Sequence, residues 1–284
     1  MQKTLVFAAT IAALFGQAAY SHEAVSAAGD SELNRQNAAL SAATEGKGFG
    51  PQSPRDLALS KGQNQRLFSA APPFQKMNLC NIHFHKNAEH KGGEFTKPAN
   101  SGDGHGYQAG YVYDRKLKAT ESQALNEDVC KSDHGGLNVG DTIEVHYVHS
   151  TAQVQPGETL GACLSETDKN PQLRVEAQVL VLVNDAKAAD FSKLVEPGVI
   201  NGLNRAVNMP MNTGKPIQYA GSTTGPSYNE KGSPLQVSWS VKPKVLKVNA
   251  ASVGKWCEGN VFKEDHAHGV RNLVTNPKLL SAIH

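Results

Sequence analysis

His83-Phe84-His85 opens a run, His83 to His90, that also holds Lys86, Glu89 and a third histidine. The residues before it, Asn78-Leu79-Cys80-Asn81-Ile82, alternate loosely between apolar and polar, as a half-buried strand does. Side chains alternate with period two along a strand, so His83 and His85 face the same way. Two imidazoles on one face offer two ligands to one metal ion. A zinc centre with room for chemistry needs a third protein ligand and an open fourth position. Without that third ligand the pair reads equally well as a His-rich surface strand.

A second stretch supplies one. In Asp141-Thr142-Ile143-Glu144-Val145-His146-Tyr147-Val148-His149, one strand face carries Glu144, His146 and Val148, and the other Val145, Tyr147 and His149. A carboxylate two residues before a histidine, on the same face, can accept the proton of one ring nitrogen and leave the other as a ligand. His146 alone is better explained by a satisfied core or surface histidine. Beside His83 and His85, on a neighbouring strand, it completes a set of three. Three neutral imidazoles leave a bound ion its full charge, the condition for acidifying a bound water.

The elements that must position these residues read as mainly β (α+β). Short apolar runs separated by Gly, Pro and Asn dominate: 110–113, 142–149, 175–183, 235–241 and 245–248. Val179 to Val183 is continuously apolar, which predicts a central strand buried on both faces. Asp185 to Leu194 predicts one short helix. Turn residues from Gly48 to Pro54 mark the entrance to a single domain over 49–284. Residues 22–48, nearly free of aromatics, read as a flexible leader, although Ser31 to Ala43 carries an N-cap and a thin apolar stripe that a helix could use.

The chain of 284 residues is 39% hydrophobic and 19% charged, with a net charge of +2, so no field for nucleic acid or acidic membranes is implied. No membrane span is expected. Residues 1–21 read as a signal peptide: Lys3, an apolar Thr4 to Phe15, then Ala19 and Ser21 before the cut. The expected location is secreted or periplasmic. Four cysteines suit an oxidising compartment, and none of their spacings is C-x-x-C. They allow three connectivities; the working expectation is Cys130–Cys163, flanking the metal strands, with Cys80–Cys257.

H-F-H-x-x-x-E-H followed by E-V-H-x-V-H resembles the metal-binding pattern of the α-class carbonic anhydrases. In the same chain order, Gln52-Ser53-Pro54-Arg55-Asp56-Leu57 is similar to that family's Q-S-P-I-[DN]-I, and Tyr219-Ala220-Gly221-Ser222-Thr223-Thr224-Gly225-Pro226 to its Y-x-G-S-L-T-T-P-P. Val237-Ser238-Trp239-Ser240-Val241 follows as V-x-W-x-V. The lead-ins Cys80-Asn81-Ile82-His83 and Gly135 to Asp141 resemble the δ-class instead, and the sequence is identified as a member of that class.

The resemblance implies a central, mostly antiparallel twisted sheet with a few short helices. It implies Zn²⁺ held by His83, His85 and His146, with Glu144 partnering His146, and reversible hydration of carbon dioxide to bicarbonate by zinc-bound hydroxide. Thr223 or Thr224 would pass its proton to Glu89 and orient that nucleophile, and Val148 would line the substrate pocket. His105, His134 and His149 stand as candidates to carry protons only by being histidines, and His266 and His268 read as surface residues. The alternative is a non-catalytic periplasmic zinc-binding protein of the same fold, which needs the ligands but not the Glu89–threonine relay. An adhesive or carbohydrate-binding β-domain would need aromatic platforms that two tryptophans do not provide.

Overall fold

The computed structural model describes residues 27–59, 61–100, 102–103, 106–223 and 225–283. In chain order these form α1 (Ala27–Thr44), β1 (Asn78–Lys86), β2 (Lys97–Pro98), β3 (Tyr111–Val112), β4 (Thr142–Ser150) and β5 (Leu173–Val183). Then come α2 (Phe191–Leu194), β6 (Pro197–Ile200), β7 (Leu203–Ala206), β8 (Ile217–Ser222), β9 (Gln236–Val241), β10 (Leu246–Asn249) and α3 (Ala250–Cys257). The fold is mainly β with short helices around a mixed sheet ordered β1-β4-β5-β9-β8, with β10 also paired to β5. The pairs β1/β4, β4/β5 and β8/β9 are antiparallel, and β5/β9 and β5/β10 are parallel.

Alternation along these strands sorts the side chains into two packed faces. Ile82, Phe84, Val145, Tyr147, Leu180 and Leu182 build one core with Phe191 and Trp256 from the helices. Val148, Val175, Ala177 and Val179 build the other with Tyr219 and Trp239. β5 is therefore buried on both sides, as its continuous apolar run predicts. Because a slip of one residue would turn both apolar sets over, burial on two faces pins the register. That pinning matters for the histidines, which share the second face.

Three expectations need correction. The described part of the expected leader, residues 27–48, is not without structure: α1 covers most of it, and Leu40 is buried against Val274, Leu279 and Leu280. The helix expected over 185–194 is confined to its last turn, α2. The disulfides are Cys80–Cys163 and Cys130–Cys257, not the expected pairs. Cys80 and Cys163 pack on the face of Val148 and Trp239, whereas Cys130 and Cys257 pack on the face of Phe84 and Trp256. The sheet lies between, so the expected pairing would have had to bridge its two faces. The expected signal peptide, 1–21, lies outside the described residues. No helix among the described residues is long and apolar enough to cross a membrane.

Candidate metal centre

The antiparallel register of β1 and β4 sets His83 opposite His146 and His85 opposite Glu144. Ring centroids lie 5.2 Å apart for His83 and His85, 5.1 Å for His83 and His146, and 4.7 Å for His85 and His146. One nitrogen from each ring falls within 4.8 Å of the other two. The expected trio is thus brought together by two strands alone.

Partners on the far side of each ring assign the tautomers. His83 Nδ1–H donates to Asn81 Oδ1 at 2.6 Å, and Asn81 fixes its own amide by donating Nδ2–H to Gly157 O at 3.0 Å. His85 Nδ1–H donates to Gly269 O at 2.7 Å. His146 Nε2–H donates to Glu144 Oε1 at 2.9 Å. The bare lone pairs are therefore His83 Nε2, His85 Nε2 and His146 Nδ1. The first and last face each other at 3.3 Å, and buried His85 Nε2 has no hydrogen-bond partner among the described residues. Lone pairs aimed at one another with no proton between them repel, and a cation at their meeting point removes that repulsion. The donor set fits a metal ion that accepts nitrogen ligands.

Burial keeps these rings neutral, as ligands must be. It pulls His85 down to about 4, and with the neighbouring imidazoles it holds His83 and His146 below the ordinary histidine range. Glu144 is also buried. Burial alone would raise its carboxyl, but His90 and the hydrogen bonds from His146 and His90 together hold it well below the usual range. Its other donors are His90 Nδ1–H at 2.6 Å and the backbone N–H groups of Glu89 at 2.9 Å and His90 at 3.2 Å. His90, Glu144 and His146 also cluster closely, but protons already join them, so this second trio offers no free donor set. The other nitrogen of His90 faces the Tyr219 hydroxyl, which also meets Ser53.

Glu89 is buried beneath the ligands, its Oε1 accepting from Arg271 N–H at 3.2 Å. Val148 and Thr223 line a cavity of about 220 Å³ beside the three histidines. Leu160, Leu173, Val175, Val237 and Trp239 make its walls largely apolar, with Asn81, Thr159, Glu264 and His268 as the polar exceptions. That volume lies below the roughly 300–1,000 Å³ of sites for larger ligands, so the cavity suits a molecule of a few atoms. The Thr223 hydroxyl lies 2.9 Å from Ser233 Oγ. Thr224 and His105 fall outside the described residues.

The histidines outside the trio separate clearly. His134 stacks on Tyr107 with centroids 3.6 Å apart, and His149 is buried among Phe74 and β4, on the face away from the trio. His268, expected at the surface, instead lines the cavity mouth and bonds Glu264 Oε2 through Nε2 at 2.6 Å. Burial would lower His268, but Glu264 raises it. Sequence reasoning also missed Asn81, Gly269 and Arg271. Asn81 was within reach, since it precedes His83 by the same two residues that separate Glu144 from His146.

A family model described as Delta carbonic anhydrase matches residues 74–252, more than half of the chain and both strands of the trio. The chain belongs to the δ-carbonic anhydrase family. It is accordingly an enzyme, a carbonic anhydrase, whose general reaction is the hydration of carbon dioxide. Among solved structures it is similar to an α-carbonic anhydrase of Photobacterium profundum, at 14% identity over 80% of this chain and 88% of that one, with a TM-score of 0.26. It is also similar to carbonic anhydrase Cah3 of Chlamydomonas reinhardtii, solved with acetazolamide, at 17% identity over 96% and 99% of the two chains and a TM-score of 0.29. At those values neither structure carries an argument about this carbonic anhydrase. A comparison with curated protein sequences finds no match.

Proposed function

We propose that this carbonic anhydrase interconverts carbon dioxide and bicarbonate with Zn²⁺ held by His83 Nε2, His85 Nε2 and His146 Nδ1. The observation that carries the reading is the convergence of three unprotonated nitrogens at the floor of a small apolar cavity. Zinc suits three neutral nitrogen donors with a fourth position left open. When bound it would act as a Lewis acid that lowers the pKa of a water to about 7, a value that comes from carbonic anhydrases themselves and not from this site.

The chain's own groups do the rest. Glu144, Asn81 and Gly269 each accept a hydrogen bond from the far N–H of one of the three histidines and so aim its near nitrogen. Val148 and its apolar neighbours hold a nonpolar, weakly electrophilic substrate and keep bulk water away. Glu89, as a carboxylate, accepts hydrogen bonds only. A threonine hydroxyl donating to it keeps its oxygen free to accept, so a nucleophile must turn its proton there and its lone pair to the substrate. Thr223 lines the cavity and Ser233 Oγ can donate to it, which leaves its own proton available; the part falls to Thr223 or Thr224. We further propose that the enzyme works outside the cytoplasm, a reading supported by its two disulfides.

The test is stopped-flow carbon dioxide hydration on purified protein of measured metal content, across pH. The rate should rise through an apparent pKa near about 7 and then level off. A rate that falls between about pH 6 and about pH 9 contradicts the proposal.

A further inference from the structure

Part of the metal face comes from a segment outside its two central strands. Residues 268–271 run beside β1, with Lys86 N–H donating to His268 O at 3.0 Å and His268 N–H to Phe84 O at 2.9 Å. From here Gly269 O accepts from His85 Nδ1–H, and Arg271 N–H donates to Glu89 Oε1. This segment lies beyond residues 74–252, the stretch shared with the family, and so does α1.

These two outlying pieces are bonded to each other. The Asn272 side chain donates to Gln36 Oε1. Asn37 donates to Leu273 O at 3.3 Å and accepts from Thr275 N–H at 3.4 Å. Asn276 donates to Ser41 Oγ at 3.0 Å. Leu40 is buried with Val274, Leu279 and Leu280 in a cluster apart from the two cores that flank the sheet. The first of these anchor points, Asn272, directly follows Arg271 and comes three residues after Gly269.

We infer that α1 is a positioning element of the metal centre. By holding residues 272–276 it sets where Gly269 O and Arg271 N–H lie, and through them the ring of His85 and the carboxylate of Glu89. A partner on the far side of a ligand works only if it is held to a fraction of an ångström. Val270 N–H to Gly106 O at 2.6 Å, the Arg271 side chain to Ser53 O and Ser222 Oγ, and Asn272 N–H to Asn229 Oδ1 at 2.6 Å tie the near part of this segment, and α1 fixes the part that follows it, 272–276. A helix that only covered apolar surface would contribute stability and leave metal binding unchanged. The two roles therefore separate in measurement.

The inference rests on the proposed zinc site, so wild-type zinc affinity is measured first, by competition with a chromophoric chelator; a wild type that binds no zinc overturns that proposal and this inference with it. Gln36→Ala removes the bond to Asn272 along with one inside the helix, to Glu32, that Arg35→Ala also disturbs, and Leu40→Asp disrupts the apolar anchor. Arg35→Ala, which removes exposed pairs to Glu32 and Glu230, serves as the control on the same helix. Zinc affinity should fall about tenfold in Gln36→Ala, the lower end of the loss expected for an outer partner of a ligand. Leu40→Asp should lose at least as much, with the sheet still folded by circular dichroism, and Arg35→Ala should match wild type. Should Leu40→Asp not fold, Gln36→Ala decides. Wild-type zinc affinity in Gln36→Ala, or an equal loss in Arg35→Ala, overturns the inference.

Discussion

Replacing Glu144 by glutamine keeps the shape of the side chain and removes only its charge and half its accepting capacity. In the wild type Oε1 accepts from His146 Nε2–H and His90 Nδ1–H, while Oε2 accepts from two backbone N–H groups. Glutamine has one oxygen and one NH₂, so one of these pairs of donors must meet another donor. If the NH₂ faces the backbone, two charge-assisted bonds are lost at about 1.5–3 kcal/mol each, roughly 3–6 kcal/mol in all. If it faces the rings, the His146 proton must move to Nδ1, the nitrogen aimed at the metal. The first arrangement weakens the fold, and the second blocks a ligand. Since a domain of this kind is stable by only about 5–15 kcal/mol, either one is large. Glu144→Gln should therefore weaken zinc binding about 10–100-fold, with a lowered melting temperature in the metal-free protein. Chelator competition and thermal unfolding on the same sample check both. Wild-type zinc affinity with an unchanged melt would refute the assigned tautomers.

Other residues give independent tests. Glu89→Gln should keep its zinc and lose about 10²-fold in hydration rate, because an NH₂ reverses the polarity of the threonine bond. One of Thr223→Ala and Thr224→Ala should share that loss, and the more damaged variant identifies the relay hydroxyl; near-wild-type turnover in Glu89→Gln removes the relay. His149 is buried with its pKa pulled down to about 3, against about 6.5 unfolded, mainly by burial. Between those values the unfolded chain binds the proton that the native one refuses, so stability is full above about pH 6.5 and falls as pH drops towards about 3, at roughly 1.4 kcal/mol per unit. His149→Leu should flatten that acid limb in denaturant titrations, and an unchanged slope would count against the burial argument. Cys163→Ser should cost roughly 2–5 kcal/mol, and non-reducing peptide mapping should join Cys80 to Cys163.

Much of the centre was legible because it obeys a local rule. Period-two alternation places His83 with His85 and Glu144 with His146, and the burial of both sheet faces fixes the register that joins them. Applied once more, the same rule picks out Asn81. What the sequence hides is long-range. Nothing local to Gly269 or Arg271 announces that the chain returns beside β1, since a backbone carbonyl or N–H has no residue signature. The disulfides failed for the same reason: which face of the sheet a loop cysteine reaches depends on strand order, and composition carries no record of that order. The helix α1 was undervalued because its polar face looks like a linker, yet Gln36, Asn37 and Ser41 spend that polarity on the C-terminal segment.

The proposed function stands on three histidines holding the metal on which carbon dioxide hydration depends. Metal content and hydration rate, measured on the same preparations of wild type, His83→Ala, His85→Ala and His146→Ala, test it most directly. One zinc is expected per wild-type chain, with most of the metal and the activity lost together in each single variant, all still folded. Full zinc occupancy and rate in His146→Ala would contradict it, because the third ligand would then have to lie elsewhere.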